Sequence, residues 1–386
     1  MPGAVYPWRE QNEYELLVDG GCFFPAMLEA ISKARYSIDI ELYLVDKGSC
    51  ATALMEALIE AAHRGIQVRC LFDGFGTLKM DDMHRTQLSE AGGQVRIYNP
   101  VGLWRGWRNL YRDHRKLLIV DESQAFVGGS GATNDFWTPG EELCQWHEVM
   151  VSMRGPLVSD WMSLFQRQWQ ACHQRHAWKP EASRGRILVP RPPQATSGLG
   201  RVAYADARQH RDIVLSLVRA LIVAKKRIWF ATPYFLPSWR VRRALRKAAQ
   251  RGVDVRLILT GRHTDNPPVR FAGQRYYPRL LRAGVKIYEY QPRFSHLKMV
   301  QVDDWVSVGS CNFDYWNLRF NLDANLEAID PTLSQAVSEC FLADFQQSRE
   351  ITLKDWRNRP WWKRLRERLW GTLDRLVLTV LSRRKS

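Results

Sequence analysis

Residues 36–45 (YSIDIELYLV) alternate apolar and polar side chains with a period of two, the pattern of a half-buried strand. The period then changes. Residues 50–65 (CATALMEALIEAAHRG) space their apolar side chains three and four apart, which predicts an amphipathic helix stopped at Gly65. Residues 66–74 (IQVRCLFDG) return to a strand pattern, and residues 94–99 (QVRIYN) supply a third strand. The same succession recurs far along the chain: a strand over 227–236, a helix over 238–252, and strands over 253–261 and 284–290. The junction of helix and second strand is nearly a copy, Arg64-Gly65-Ile66-Gln67-Val68-Arg69 against Arg251-Gly252-Val253-Asp254-Val255-Arg256. A strand–helix–strand unit present twice predicts an α/β fold of two pseudo-symmetric halves, each a mixed β-sheet flanked by helices.

The repeat sets the expected domain limits. A first half covers residues 1–178 and a second half 201–350. Between them, residues 179–200 (KPEASRGRILVPRPPQATSGLG) are rich in Pro, Gly and Ser, which predicts a linker. Residues 351–386 are expected to form a basic amphipathic helix. The 386 residues are 45% hydrophobic, enough to bury real cores. A net charge of +16 points to an anionic partner: nucleic acid, an anionic membrane or a phosphate-bearing substrate. Sixteen tryptophans favour a lipid interface, which satisfies both the ring and its N–H. The seven cysteines are scattered with no C-x-x-C pair, so a reduced compartment is expected, without a disulfide framework or zinc site. The opening residues hold no apolar signal-like stretch and no run of 18 apolar residues occurs, so membrane attachment is expected to be peripheral.

Each half continues from its third strand into the same arrangement. Residues 111–121 (YRDHRKLLIVD) and 294–303 (FSHLKMVQVD) each carry His, Lys two residues later, and Asp five residues after that. On a strand, residues two apart share a face, so His114 points with Lys116 and His296 with Lys298. Asp121 and Asp303 are an odd number of positions from their histidines and about 20 Å along an extended strand. They are expected to satisfy donors at the strand end, not to orient the imidazoles. Each motif is followed by a strand and a Gly-containing turn, where Gly129, Ser130, Ser310 and Asn312 are candidate phosphate ligands. Two histidines flanking one phosphorus can serve as nucleophile and as general acid and base, while two lysines stabilise charge on the non-bridging oxygens. Duplication supplies one histidine to each side. A carboxylate should fix each imidazole; the candidates are Glu148 in QWHEVMVS and Glu327 in LDANLEAI, acids in apolar strand-like surroundings. No metal is implied, since neither motif gathers carboxylates and each histidine is paired with a cation.

These residues resemble the phospholipase D superfamily, whose signature is a duplicated HxKxxxxD motif. His114, Lys116, Asp121, His296, Lys298 and Asp303 match its catalytic motif residue by residue. The segments around them, with TPYFLP and VGSCNFD, look like the bacterial cardiolipin synthase branch, type B. The resemblance implies a phosphatidyl-histidine intermediate with no cofactor, His114 as nucleophile and His296 as general acid and base. It implies transfer of a phosphatidyl group from phosphatidylglycerol or a related phospholipid to an alcohol or a second lipid, possible acceptors including phosphatidylethanolamine. It places the protein on the cytoplasmic face of the bacterial inner membrane. The chain departs from the family at Gly131, where many members have Asn, and its second motif reaches Gly309 one residue sooner than the first reaches Gly128.

Two segments fit an anionic phospholipid membrane. Residues 102–112 (GLWRGWRNLYR) mix Trp with Arg immediately before His114. In the tail, Trp362, Leu365, Leu369, Leu373, Leu376 and Val380 make one apolar face among arginines. Both features disfavour the alternative of a nuclease, although basic and aromatic residues also suit single-stranded nucleic acid. A phospholipase D that uses water as acceptor is the other alternative, because acceptor choice depends on pocket shape and water exclusion.

Overall fold

A computed structural model describes residues 5–141, 144–172, 190, 192, 197–206, 211–314, 317–361 and 370. The two repeats become two sheets with the same strand order. The first half supplies β1 (Glu13–Val18), β2 (Ser37–Leu42), β3 (Gln67–Asp73), β4 (Gln94–Tyr98), β5 (Arg112–Asp113), β6 (Lys116–Val120), β7 (Gln124–Gly128), β8 (Trp146–His147) and β9 (Val149–Arg154). Its sheet runs β1-β9-β7-β6-β2-β3-β4. The second half supplies β10 (Leu199–Asp206), β11 (Arg227–Thr232), β12 (Asp254–Thr260), β13 (Lys286–Tyr290), β14 (Phe294–Ser295), β15 (Met299–Val302), β16 (Trp305–Gly309), β17 (Asn321–Ile329) and β18 (Ser348–Glu350). Its sheet runs β10-β17-β16-β15-β11-β12-β13-β18, which repeats the first order and adds one edge strand. In each sheet the strands joined by crossover helices pair in parallel, β2 with β3 and β11 with β12.

The predicted helices form over Ser49–His63 and Trp239–Gln250. The first buries Cys50, Leu54, Met55 and Leu58 against its sheet, and the second buries Val241, Ala244, Leu245 and Ala248. Each such fully buried leucine contributes about 1.5–3 kcal/mol. Gly65 and Gly252 follow the two helices with φ of 84° and 90°, which explains why the copied junction keeps glycine.

A third core joins the halves. Leu117, Ile119, Val127 and Val151 from the first sheet share one apolar cluster with Met299, Val306, Val308 and Leu326 from the second. The helices Leu157–Ala171 and Pro331–Gln346 enter the same cluster through Trp161, Phe165, Val337 and Phe341. Each of these helices packs on the other half's edge strand, the first on β10 and the second on β1. The halves are thus locked by exchanged helices.

Strand β10 begins at Leu199, inside the expected linker; residues 179–189, 191 and 193–196 of that linker lie outside the described residues. Of the expected C-terminal helix, only the short helix Leu353–Arg357 and its neighbours are described, and residues 362–369 and 371–386 lie outside.

Candidate active site

Each motif is broken where the sequence predicts a continuous strand. β5 ends at Asp113 and β6 starts at Lys116; β14 ends at Ser295 and β15 starts at Met299. The break lets the chain change partners. β5 pairs with β17 of the second half, and β14 pairs with β8 of the first. The histidines sit at these crossings, where His114 N donates to Leu322 O at 2.9 Å and His296 N to His147 O at 2.8 Å. Both imidazoles are therefore anchored to the opposite half.

The same exchange supplies the carboxylates. His114 Nδ1 lies 3.0 Å from Asp323 Oδ1, and His296 Nδ1 lies 2.7 Å from Glu148 Oε2. An ionised carboxylate only accepts, so each Nδ1 donates and each Nε2 is left with its lone pair. Lys116 Nζ donates to His114 O at 2.5 Å. Lys298 Nζ donates to Glu148 Oε2 at 2.9 Å and lies 2.7 Å from His296 Nδ1 and 3.1 Å from Nε2. Burial lowers the affinity of both rings for a proton, and the lysines of both halves lower it further. His114 falls to about 4 and His296 to about 3, although Asp323 and Glu148 pull the other way. Burial and the charge of Lys298 bring Lys116 down to about 7. Burial alone would raise Glu148 and Asp323, but the histidines and lysines hold both carboxyls below their usual range. The six side chains thus share one field: two neutral imidazoles, two carboxylates, the Lys298 ammonium and a Lys116 that is only partly charged at pH 7.

Asp121 and Asp303 lie elsewhere. Asp121 accepts from the backbone N–H groups of Arg35, Tyr36 and Ser37 at 2.7–3.1 Å. Asp303 accepts from Lys225, Lys226 and Arg227 at 2.8–2.9 Å. Both have φ near 50°, a left-handed turn that aims the carboxylate back at the start of β2 or β11. Burial opposes ionisation, but three N–H donors outweigh it and hold both carboxyls low. They lie where strand parity predicts, bonded to backbone at the strand ends and not to either imidazole.

Glu327 does not hold a histidine. Its Oε2 accepts from Arg201 Nε at 2.8 Å and from Ser216 Oγ at 2.6 Å in a buried ion pair. The sheet register explains the correction. Gly128 pairs with Met150 and Gly309 with Asn325, so the counterpart of Glu148 is Asp323, and Glu327 corresponds to Ser152. The turn residues also depart from expectation. Ser310 Oγ spends its one proton on Asp323 at 2.8 Å, and Ser130 Oγ donates to Gly131 O at 2.9 Å. Ser130 also lines a space with Phe24, Met27 and Leu54 in the first half's core. Gly129 makes room for the carboxylate: a Cβ there would lie 2.1 Å from Glu148 Oε2. Asn312 keeps a free polar group, since its buried side-chain Oδ1 has no partner. The sequence reading also missed Tyr43, whose ring centroid is 4.9 Å from that of His114 and 5.0 Å from Lys116 Nζ.

Comparison with known proteins agrees with this geometry. A family described as "Cardiolipin synthase, PLD-like domain" matches residues 27–169 and 217–345, one match per half. The chain is 33% identical over 374 residues to cardiolipin synthase B of Salmonella typhi, covering 92% of this chain and 86% of that protein. It is 31% identical over 357 residues to cardiolipin synthase A of Pseudomonas putida, covering 91% and 72%. The fold matches the crystal structure of phosphatidylserine synthase from Haemophilus influenzae with a TM-score of 0.73 at 14% identity, covering 96% of this chain and 94% of that one. With both motifs complete and both halves matched, the chain belongs to the cardiolipin synthase family of phospholipase D-like phosphatidyltransferases.

Proposed function

We propose that the protein transfers a phosphatidyl group from phosphatidylglycerol or a related phospholipid to the hydroxyl of a second phospholipid or an alcohol, through a phosphohistidine on His114. The observation that carries this reading is the pair of crossed dyads, each imidazole fixed at Nδ1 by a carboxylate of the opposite half. Nε2 of His114 is bonded by no side chain among the described residues, which suits a nucleophile. The Lys298 ammonium lies 2.7 Å from Nδ1 and 3.1 Å from Nε2 of His296 and lowers the proton affinity of that ring, so a proton held there in the substrate complex is readily given to a leaving oxygen.

On its own the protein holds both rings neutral at pH 7. A phosphodiester brings a negative charge between the lysines, favours an imidazolium and raises His296 towards a general acid. His114 Nε2 then bonds phosphorus while the departing alcohol oxygen takes the proton of His296. Neutral His296 next removes the proton of the acceptor hydroxyl, whose oxygen bonds phosphorus as the P–N bond breaks. Lys116, Lys298 and the Nδ2 hydrogens of Asn312 stabilise charge on the non-bridging oxygens.

The segment Leu103–Leu110 supports a membrane as the place of reaction. Leu103 is 97% exposed, Trp104 101% and Trp107 53%, a concentration of apolar surface that water disfavours. The segment is tied to the active-site strand: Asn99 Nδ2 donates to Arg108 O and Tyr111 O, and Arg112 Nη2 donates to Asn99 O. No helix among the described residues is long and apolar enough to cross a membrane. Peripheral docking on the cytoplasmic face of the bacterial inner membrane suits this rim, the +16 charge and seven free cysteines.

The test is incubation of the purified protein with labelled phosphatidylglycerol, with and without phosphatidylethanolamine, and identification of products by mass. Cardiolipin with little phosphatidic acid is expected. Phosphatidic acid alone would mean hydrolysis, and cleavage of DNA with no lipid turnover would overturn the assignment.

A further inference from the structure

Behind the His296–Glu148 pair lies a second buried histidine that the reaction does not use. His147 is 3% exposed, and each ring nitrogen meets a carboxylate. Nδ1 lies 2.7 Å from Asp19 Oδ1; Nε2 lies 3.0 and 3.2 Å from the two oxygens of Asp344. Asp19 precedes the helix Gly20–Lys33 of the first half, whereas Asp344 belongs to the helix Pro331–Gln346 of the second. A ring with acceptor-only groups at both nitrogens is a double donor, an imidazolium. The other facing groups are Arg293, which ion-pairs with Asp19, the Tyr290 ring stacked at 5.2 Å, and the Cys340 thiol. Asp19 and Asp344 balance His147 and Arg293 in charge.

The same backbone sets the active site. His147 O accepts from His296 N at 2.8 Å, Asp19 N donates to Glu148 O at 2.8 Å, and Glu148 N donates to Asp19 Oδ1 at 3.3 Å. The register places Leu322 at the equivalent position of the second half, and Leu322 O accepts from His114 N. Only one of the two dyads therefore rests on a titratable brace. His147, Cys340 and Asp344 are donor types that zinc accepts, but no fourth ligand joins them among the described residues, and the ring-to-carboxylate distances are those of hydrogen bonds.

We propose that His147 is a positioning residue: by donating to Asp19 and Asp344 together, it fixes the backbone that aims Glu148 at His296, and losing its proton slackens that aim. The proposal rests on the phosphatidyl-transfer reading. Burial alone would make the ring easier to deprotonate, but the hydrogen bonds to Asp19 and Asp344 outweigh it and raise His147 well above its ordinary value. The brace is therefore complete below the ordinary imidazole value of about 6.5 and is lost as pH rises through the higher folded-state value.

The experiment measures kcat and donor KM against pH, with thermal unfolding, for wild type, Asp344→Asn and His147→Gln. Wild type is expected to lose kcat on an alkaline limb that Asp344→Asn shifts by about one pH unit or more to lower pH, with KM changed less than about twofold. Lys116 titrates near neutrality in the free protein, but kcat reports the substrate complex, where the phosphodiester anion keeps Lys116 charged to higher pH and leaves the limb to His147. His147→Gln is expected to lower kcat about tenfold or more across the range. A limb unmoved in Asp344→Asn, a wild-type kcat in His147→Gln, or a metal ion bound stoichiometrically at the trio would overturn the proposal. If His147→Gln does not fold, the Asp344→Asn limb decides. If wild type transfers no lipid, the functional reading fails separately, and the brace is judged by unfolding: Tm should fall at alkaline pH, earlier in Asp344→Asn, and coincident curves would refute it.

Discussion

Replacing Asp323 with Asn should disable the enzyme without unfolding it. The Asp323 carboxylate is 3.0 Å from His114 Nδ1 and is the group that fixes this ring's tautomer. Two unit charges at that distance interact by about 5.5 kcal/mol at an effective dielectric of about 20. If the whole interaction appeared only as His114 gains positive charge at phosphorus, its loss would slow the reaction by about four orders of magnitude. Some of it already operates on the neutral ring, whose N–H is held in the ground state, so the expected fall in kcat is about 10²–10⁴. An amide keeps the shape and can still accept from Ser310, so the fold should survive. The contrast is Glu327→Gln, which weakens the ion pair to buried Arg201. Breaking such a pair costs about 3–5 kcal/mol of stability, while turnover per folded molecule should stay within about threefold. Single-turnover transfer from labelled phosphatidylglycerol, normalised to the folded fraction, reads both. Near-normal turnover in Asp323→Asn, or loss of turnover in a folded Glu327→Gln, would refute the assignment of the carboxylates.

Three further outcomes are expected. Gly129→Ala puts a Cβ 2.1 Å from Glu148 Oε2, so the carboxylate must swing off His296 and buried Lys298; kcat per folded molecule should fall about 100-fold, and the broken buried pair should cost about 3–5 kcal/mol of stability. Vanadate binding at pH 7 should take up about one proton, because both histidines are neutral beforehand and Lys116, at about 7, is only partly charged; calorimetry in buffers of different ionisation enthalpy measures this, and no uptake would contradict the charge assignment. Trp104→Ala and Trp107→Ala should each weaken sedimentation with anionic vesicles by about tenfold, equivalent to about 1.4 kcal/mol, without lowering the unfolding temperature.

Much of this architecture is legible in the sequence, and what is not has a physical reason. The change from a two-residue to a helical period locates the repeated units, and parity alone predicts that Asp121 and Asp303 cap strand ends. Parity is blind to register. Asp323, Asn325 and Glu327 all face one side of β17, and only the long-range pairing of Gly309 with Asn325 shows that Asp323 is the residue two before it. The break after Asp113 is equally hidden, because residues 112–116 (RDHRK) are all polar and carry no apolar period that would mark the change of hydrogen-bonding partner from one half to the other. The turn serines look like phosphate ligands in sequence, but a hydroxyl has one proton, and neighbouring acceptors already take it.

The central claim is that two imidazoles from different halves act on one phosphorus, with His114 bonding it. The most direct measurement is mass spectrometry of the His296→Ala protein after brief exposure to labelled phosphatidylglycerol. Without His296 the first step loses its proton donor and is slowed, while the second loses its base, so the phosphatidyl adduct that forms should accumulate and map to His114. An adduct on any other residue, or none in a folded protein that still consumes donor, would contradict the account.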